Sequence, residues 1–226
     1  MNKFNDYRVQ KFVMKSGAFI NYNYLIVDDT SKNAAIIDPA WDLEAIEKEL
    51  STQKARLTHI LLTHSHHDHT NLVNQLVEKY DCDVYIHHEE SRYYKFISHN
   101  MINFKHLDII YLGNTKITCY HTPGHTTGSS CFMFADCIFT GDTLFNEGCG
   151  ICTPEGGDPY QMYHSLNILK NNIQPNMRIF PGHCFGSKPG MSYKDVLKIN
   201  IYLQINQIDT FVSYRMRQTK TTPSFS

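Results

Sequence analysis

The sequence predicts an α/β protein built as a four-layer αββα sandwich. Three observations predict it. The chain runs β-rich, βα, β-rich, βα, as two similar halves of mixed sheet with helices outside. Apolar residues make up 42% of its 226 residues and are spread throughout, enough for a sizeable core and too many for disorder. No repeat at a solenoid period and no linker rich in Gly, Ser or Pro divides the chain. Residues 1–190 are read as the core, and 191–226 as a C-terminal helix and tail packed on the same domain.

The elements follow in order. Residues 7–15 carry Val9, Phe12 and Val13 in mixed alternation and read as a first strand. Residues 22–27 and 34–37 are apolar and β-prone, joined by the polar hairpin loop 28–33. Asp38 and Pro39 end the second of these. Asp42 then caps a helix with Leu43, Ile46 and Leu50 on one face. Residues 58–63 form a short buried strand, and Leu72, Val73, Leu76, Val77 and Tyr80 follow at helical spacing. Residues 84–86 are the next strand, and 88–99 read as helix. Strands return at 109–111, 116–120, 131–134 and 137–140. A helix starts with Asp158 at the N-cap, Pro159 at the first helical position and Gln161 as a capping-box partner. Its apolar face carries Met162, Leu166 and Leu169. Residues 178–180 form a last strand. One final helix from Ser192 carries Tyr193, Val196, Leu197, Ile201 and Ile205. From about Gln218 the chain is polar and expected to fray.

Composition excludes several classes. The net charge of -1 gives no field to draw in nucleic acid or an anionic membrane. Residues 1–7 hold no apolar core of a secretory signal, and no apolar run approaches a membrane span. Seven cysteines, an odd number scattered without a framework, read as reduced thiols in a cytoplasm.

The chemistry gathers at His64-Ser65-His66-His67-Asp68-His69, directly after the apolar run Ile60-Leu61-Leu62. Imidazole is the commonest metal ligand, so this stretch reads as half of a metal site. Three later strand ends carry His or Asp beside a glycine: His125 after Gly124, Asp142 after Gly141, and His183 after Gly182. In sheet proteins, sites gather where several strands end on one side. Taken alone, each of the three is an ordinary turn residue; their order and glycine context change that reading.

These residues carry a resemblance. His64-x-His66-x-Asp68-His69, His125 in Thr-Pro-Gly-His-Thr, Asp142 in Phe-Thr-Gly-Asp-Thr and His183 in Pro-Gly-His resemble the metallo-β-lactamase superfamily, with Asp38 in Ile-Ile-Asp-Pro. The match runs in the right order over most of the chain. The stretch 141–150 is similar to the glyoxalase II branch. Trp41-Asp42-Leu43, Gly148-Cys149-Gly150-Ile151-Cys152 and Asn200-Ile201-Tyr202 are similar to zinc-dependent hydrolases of trans-acyltransferase polyketide gene clusters.

The resemblance implies two zinc ions, with iron or manganese as alternatives. His64, His66 and His125 would hold the first ion, Asp68, His69 and His183 the second, and Asp142 would bridge them. Two ions roughly 3.5–4 Å apart can share a water, lower its pKa to around 7 and deliver hydroxide to a carbonyl. Asp68 would also orient that nucleophile or accept its proton. Asp38 is read as a turn residue that at most stands behind the ligands, and His67 as no ligand. Cys149 and Cys152 have the spacing of a redox pair without a thioredoxin-like setting, and Cys184 reads as a packing residue. The other seven histidines read as surface or satisfied core residues. Arg215, Arg217 and Lys220 read as solvated charge or as contacts to an anionic substrate arm.

The implied activity is hydrolysis of an acyl thioester, small or bound to a carrier protein. In glyoxalase II, a lysine and an aromatic residue after Gly-Cys-Gly contact glutathione; Ile151 and Thr153 stand there here. That departure, with a shorter C-terminal extension, points away from glutathione and toward a pantetheine-type or small thioester. The polyketide resemblance places the acyl group on a carrier protein. Two other readings share the scaffold: a mono-iron persulfide dioxygenase, and a lactone or ester hydrolase. Nucleic-acid and membrane partners are not expected, and oligomeric state has no signal.

Overall fold

Period-two alternation organises the first sheet. In β3 (Phe19–Asp28), Tyr22, Tyr24 and Ile26 face one side and Leu25 and Val27 the other, all buried. With β1 (Asn2–Lys3), β2 (Tyr7–Ser16) and β4 (Asn33–Ile37) it forms an antiparallel half. Strands β5 (Arg56–Leu61), β6 (Asp83–His87) and β7 (Met101–Phe104) add in parallel, so the sheet keeps sequence order. The computed structural model describes residues 2–4, 6–16 and 19–217; the expected fraying from Gln218, and Lys220, lie outside them.

The second sheet is built from β8 (Ile109–Leu112), β9 (Thr115–His121), β10 (Ser130–Met133), β11 (Cys137–Gly141), β12 (Arg178–Pro181) and β13 (Met191–Ser192). All its neighbours are antiparallel except β11 and β12, the one pair that needs a crossover. The helices are α1 (Leu43–Gln53), α2 (His67–Thr70), α3 (Val73–Tyr80), α4 (His88–Tyr94), the crossover α5 (Pro159–Asn172), α6 (Tyr193–Ile199), α7 (Ile201–Gln204) and α8 (Ile208–Arg215).

Three buried clusters define four layers. Tyr24, Ile37, Leu112, Phe132, Phe139 and Phe180 meet between the sheets. Ile46 and Leu50 of α1 and Leu76 and Val77 of α3 cover the outer face of the first sheet. Met162, Leu166 and Leu169 of α5, with Val196, Leu203 and Phe211, cover the second. The αββα sandwich expected from the element order is the fold observed.

Three local expectations differ. The helix over 88–99 stops at Tyr94, because Lys95 adopts a left-handed conformation (φ 55°) and returns its N–H to Ser91 O; residues 101–104 form β7 instead. The single final helix breaks into α6, α7 and α8. At the first break Asn200 is extended (φ -85°, ψ 105°), accepts from Tyr202 N and donates to the carbonyls of Phe145 and Gly148. Gln161 does not close a capping box: Asp158 N donates to Gly124 O, and Gln161 Nε2 donates to the Asp158 carboxylate at 3.3 Å. The Asp158 side chain still caps α5, accepting from Tyr160 N and Gln161 N.

No helix among the described residues is long and apolar enough to cross a membrane. All seven cysteines are free. Burial pushes the Cys149 and Cys152 thiols up to about 12, which leaves them unreactive as a redox pair near neutral pH. Cys184 is partly buried against the inter-sheet core.

His87 makes acid stability a measurable property. It is buried and stacks on His121 with ring centroids 3.8 Å apart. Burial, and then His121, His88 and His106, push its pKa down to about 3. The unfolded chain therefore takes up this proton near 6.5 and the folded chain only near 3. Its contribution to stability is full above the unfolded value and lost as pH falls toward the folded one. Urea midpoints should fall between pH 7 and pH 5, and His87→Gln should fall less steeply. An equal pH slope in both proteins would refute this.

Candidate metal centre

The site lies where strands of both sheets end on one side. His64 and His66 leave the end of β5, and Asp68 and His69 sit on the single turn of α2. His125 lies between β9 and β10, Asp142 follows β11, and His183 follows β12. Gly182 is required beside His183: a Cβ there would lie 2.5 Å from Asp142 Oδ1 and 2.9 Å from His69 Cε1.

All seven side chains meet. Donor atoms of His64, His66 and His125 lie within 4.8 Å of one another, and so do those of Asp68, His69 and His183. Asp142 faces both triads. Its Oδ2 is 3.6 Å from His125 Nε2 and 3.3 Å from His183 Nε2, and its Oδ1 is 3.7 Å from His69 Nε2.

The rings are oriented from behind. His69 Nδ1 is 3.1 Å from Asp38 Oδ2, His125 Nδ1 2.7 Å from Ile151 O, and His183 Nδ1 3.3 Å from Ile20 O. Each of these acceptors needs a proton on Nδ1, so each Nε2 turns a lone pair into the site. His64 Nδ1 is 3.0 Å from Thr63 Oγ1, which donates onward to Asp38 Oδ2. His66 differs, turning Nδ1 toward His125 Nε2 at 3.1 Å. Asp38 itself holds a left-handed backbone (φ 50°), and its carboxylate accepts from Thr63 N, Thr63 Oγ1 and His69. Asp38, His64 and His69 also cluster, but those bonds fill the Asp38 carboxylate. His67 is exposed, edge-on to Trp41.

These donors fit a metal. His69 Nε2 and His183 Nε2 face each other at 3.2 Å; with each Nδ1 turned to an acceptor behind it, the two share one proton, and a cation can take that proton's place. His64 Nε2 and Asp142 Oδ1 are buried without any hydrogen-bond partner. Nitrogen and carboxylate oxygen together suit zinc, iron or manganese. Electrostatics agree. Burial and the other imidazoles hold His64 well below its usual range, and burial and His125 push His66 down to about 4. Burial raises the Asp142 carboxyl, but His183 and His69 outweigh it and keep it ionised. Burial depresses His183, but Asp142 and Asp68 outweigh that and lift it to about 10, so a proton competes there for the lone pair.

A cavity of about 490 Å³ opens onto these residues. Phe145, Ile151, Phe185, Ile201 and Tyr202 give it an apolar wall, with Arg215 and Arg217 on the C-terminal side. Arg215 Nη1 donates to Cys149 O, and the Arg217 guanidinium lies 3.7 Å over the Tyr214 ring.

The sequence model of the metallo-beta-lactamase superfamily matches residues 17–183, a span that holds every residue of the cluster. The chain belongs to that superfamily. Among its relatives, the probable polyketide biosynthesis zinc-dependent hydrolase PksB of Bacillus subtilis (strain 168) is 41% identical over 214 residues, 95% of each chain. The hydroxyacylglutathione hydrolase of Pelagibacter ubique is 36% identical over 72% of this chain and 66% of its own. A metallo-beta-lactamase from Staphylococcus aureus subsp. aureus COL superposes with a TM-score of 0.86 at 26% identity, over 97% of this chain and 70% of that one.

Within this metallo-β-lactamase fold, two polar groups beside the site were not anticipated. Asn21 Nδ2 donates to Asp68 O and Asp68 Oδ2, both at 2.9 Å, and Glu90 bonds to the loops around His64, His66 and His125. A signal existed for the first: Asn21 and Asn23 interrupt an apolar strand. Glu90 had none, being one of two adjacent acids in an expected helix.

Proposed function

We propose that the protein is a two-metal hydrolase of acyl thioesters, with zinc as the first choice of metal. One observation carries the reading: Asp142 lies within 3.7 Å of imidazoles from both triads, the position of a bridging carboxylate. His64, His66 and His125 would hold one ion, and Asp68, His69 and His183 the other. Likeness to PksB along the whole chain supports a role in polyketide biosynthesis.

Bound ions supply Lewis acidity, which makes water nucleophilic near neutral pH and polarises a carbonyl. The chain's own groups do the rest. Asn21 fixes the Asp68 carboxylate, which borders the cavity and stays ionised because His183 outweighs the effect of burial. Its free lone pairs can orient the attacking oxygen and take its proton. The apolar wall excludes water around the acyl chain. A thiolate leaves without acid help. Ile151 in the wall offers no charge to a glutathione carboxylate, whereas Arg217 at the rim suits the phosphate of a pantetheine arm.

The test is a panel of one acyl group on glutathione, coenzyme A, N-acetylcysteamine and an acyl carrier protein, with metal-replete enzyme. Turnover of the pantetheine-type members ahead of glutathione is expected; no turnover of any member would reject the reading. One tightly bound iron with rapid oxygen use on glutathione persulfide would replace it with an oxidoreductase. Arg217→Glu should raise KM for the coenzyme A ester about tenfold, equivalent to ~1.4 kcal/mol, and change the uncharged N-acetylcysteamine ester less. Equal KM shifts for the two would remove Arg217 from phosphate recognition.

A further inference from the structure

Glu90 is the only residue of α4 that is completely buried and acidic, and it forms no ion pair among the described residues. Its carboxylate instead takes four hydrogen bonds from two separate loops. Oε1 accepts from Ser65 N and Ser65 Oγ, both at 2.7 Å. Oε2 accepts from Thr126 Oγ1 at 2.8 Å and Gly128 N at 2.9 Å. An ionised carboxylate offers about four lone-pair sites, and here each has a donor.

The sequence positions of these donors are informative. Ser65 stands between His64 and His66, and Thr126 directly follows His125. All three imidazoles of one triad therefore sit next to a residue bonded to this carboxylate. None of the other triad does. Asp68 is held by Asn21, His69 by Asp38, and His183 by Ile20 O. The loop backbone is also pressed onto α4: a Cβ on Gly128 would lie 2.3 Å from Glu90 N. Thr126 Oγ1 is fixed in turn, since Ser129 Oγ lies 2.7 Å from it and accepts from Thr126 N.

We propose that Glu90 is a positioning residue that joins the His64–His66 loop to the His125 loop and so sets the three-histidine half of the centre selectively. This rests on the two-metal reading above. Glutamine is the sharp substitution. It keeps the shape, but whichever way it turns its NH2 group must face one backbone N–H, of Ser65 or of Gly128, together with a hydroxyl that would have to rotate. One loop then loses its anchor while α4 stays in place.

The test is metal affinity by site. Metal-stripped full-length protein is titrated with Co²⁺ against a competing chelator and followed by visible absorption, with His66→Ala marking the event that belongs to the three-histidine half. In Glu90→Gln that event should weaken roughly 10–100-fold with an altered Co²⁺ spectrum, and the other should stay within about threefold. Ser65→Ala and Thr126→Val, which each remove one hydroxyl and keep the backbone bonds, should weaken the same event by less. Wild-type affinity for both events in a folded Glu90→Gln protein, or equal weakening of both, overturns the proposal. Should Glu90→Gln not fold, unchanged affinities in both hydroxyl variants overturn it. A wild type that takes up fewer than two ions fails the functional reading first, and this proposal with it; two ions with unmoved variants fail this proposal alone.

Discussion

Asp142→Ala should yield a folded protein with fewer than two ions per chain and thioester turnover reduced by more than about 10²-fold. Loss of a group that merely supports a ligand already costs 10–100-fold, and a carboxylate shared by both triads should cost more. Loss of fold is not expected. Asp142 Oδ1 is a buried acceptor without a hydrogen-bond partner, and among the described residues its Oδ2 faces only imidazoles of the site, His183 Nε2 at 3.3 Å and His125 Nε2 at 3.6 Å. Its backbone carbonyl, which accepts from Gly150 N, is untouched by the substitution. The structural cost is therefore small, while the cost to cation binding is large. Metal analysis, turnover and near-UV circular dichroism on one preparation check this. Two retained ions with full activity would remove Asp142 from the bridge.

Asp38→Asn should produce the opposite pattern, losing stability even without metal. Thr63 N, Thr63 Oγ1 and His69 Nδ1 all point hydrogens at the Asp38 carboxylate. An amide keeps one acceptor and turns its NH2 against the remaining donors. At 1.5–3 kcal/mol for a hydrogen bond to a charged group, a loss of about 2–4 kcal/mol is expected in denaturant unfolding of stripped protein. Asparagine tolerates the left-handed backbone of this position, so strain adds little. Asp38→Ala should fall further for that reason. Metal affinity should drop as well, at the triad containing His69, because nothing then fixes the proton on Nδ1. Unchanged urea midpoints in stripped protein would contradict this account.

The contrast between these residues explains what could be read in advance. The clustered histidines were legible because imidazoles crowd one turn and because three later turns pair His or Asp with glycine. The layers were legible because alternation in 22–27 and helical spacing in 162–169 are local patterns. What escaped depends on partners distant in sequence. Glu90 looks like any acid on a helix until Ser65 and Gly128 arrive from elsewhere. Asn200 sits inside a stretch with helical periodicity, and only its bonds to Phe145 and Gly148 show why the helix must break there. Lys95 ends α4 without a glycine or proline to mark it, and β7 exists only by pairing with β6.

The donors come from opposite sheets, and this has a consequence for folding. His69 and His183 are 114 residues apart, one beyond the first sheet and one beyond the second. Neither sheet alone can complete a triad, since His125 and His183 close the two sets begun in the His64–His69 turn. An ion bound there fastens the two halves of the sandwich and has affinity for the assembled state alone. Free metal then enters the folding equilibrium directly: at a thousand times Kd, one site adds about 4.1 kcal/mol, a large share of a domain's net stability. Scarcity of metal would lower the amount of folded protein as well as the turnover of each molecule, and thermal midpoints should climb with the logarithm of free zinc.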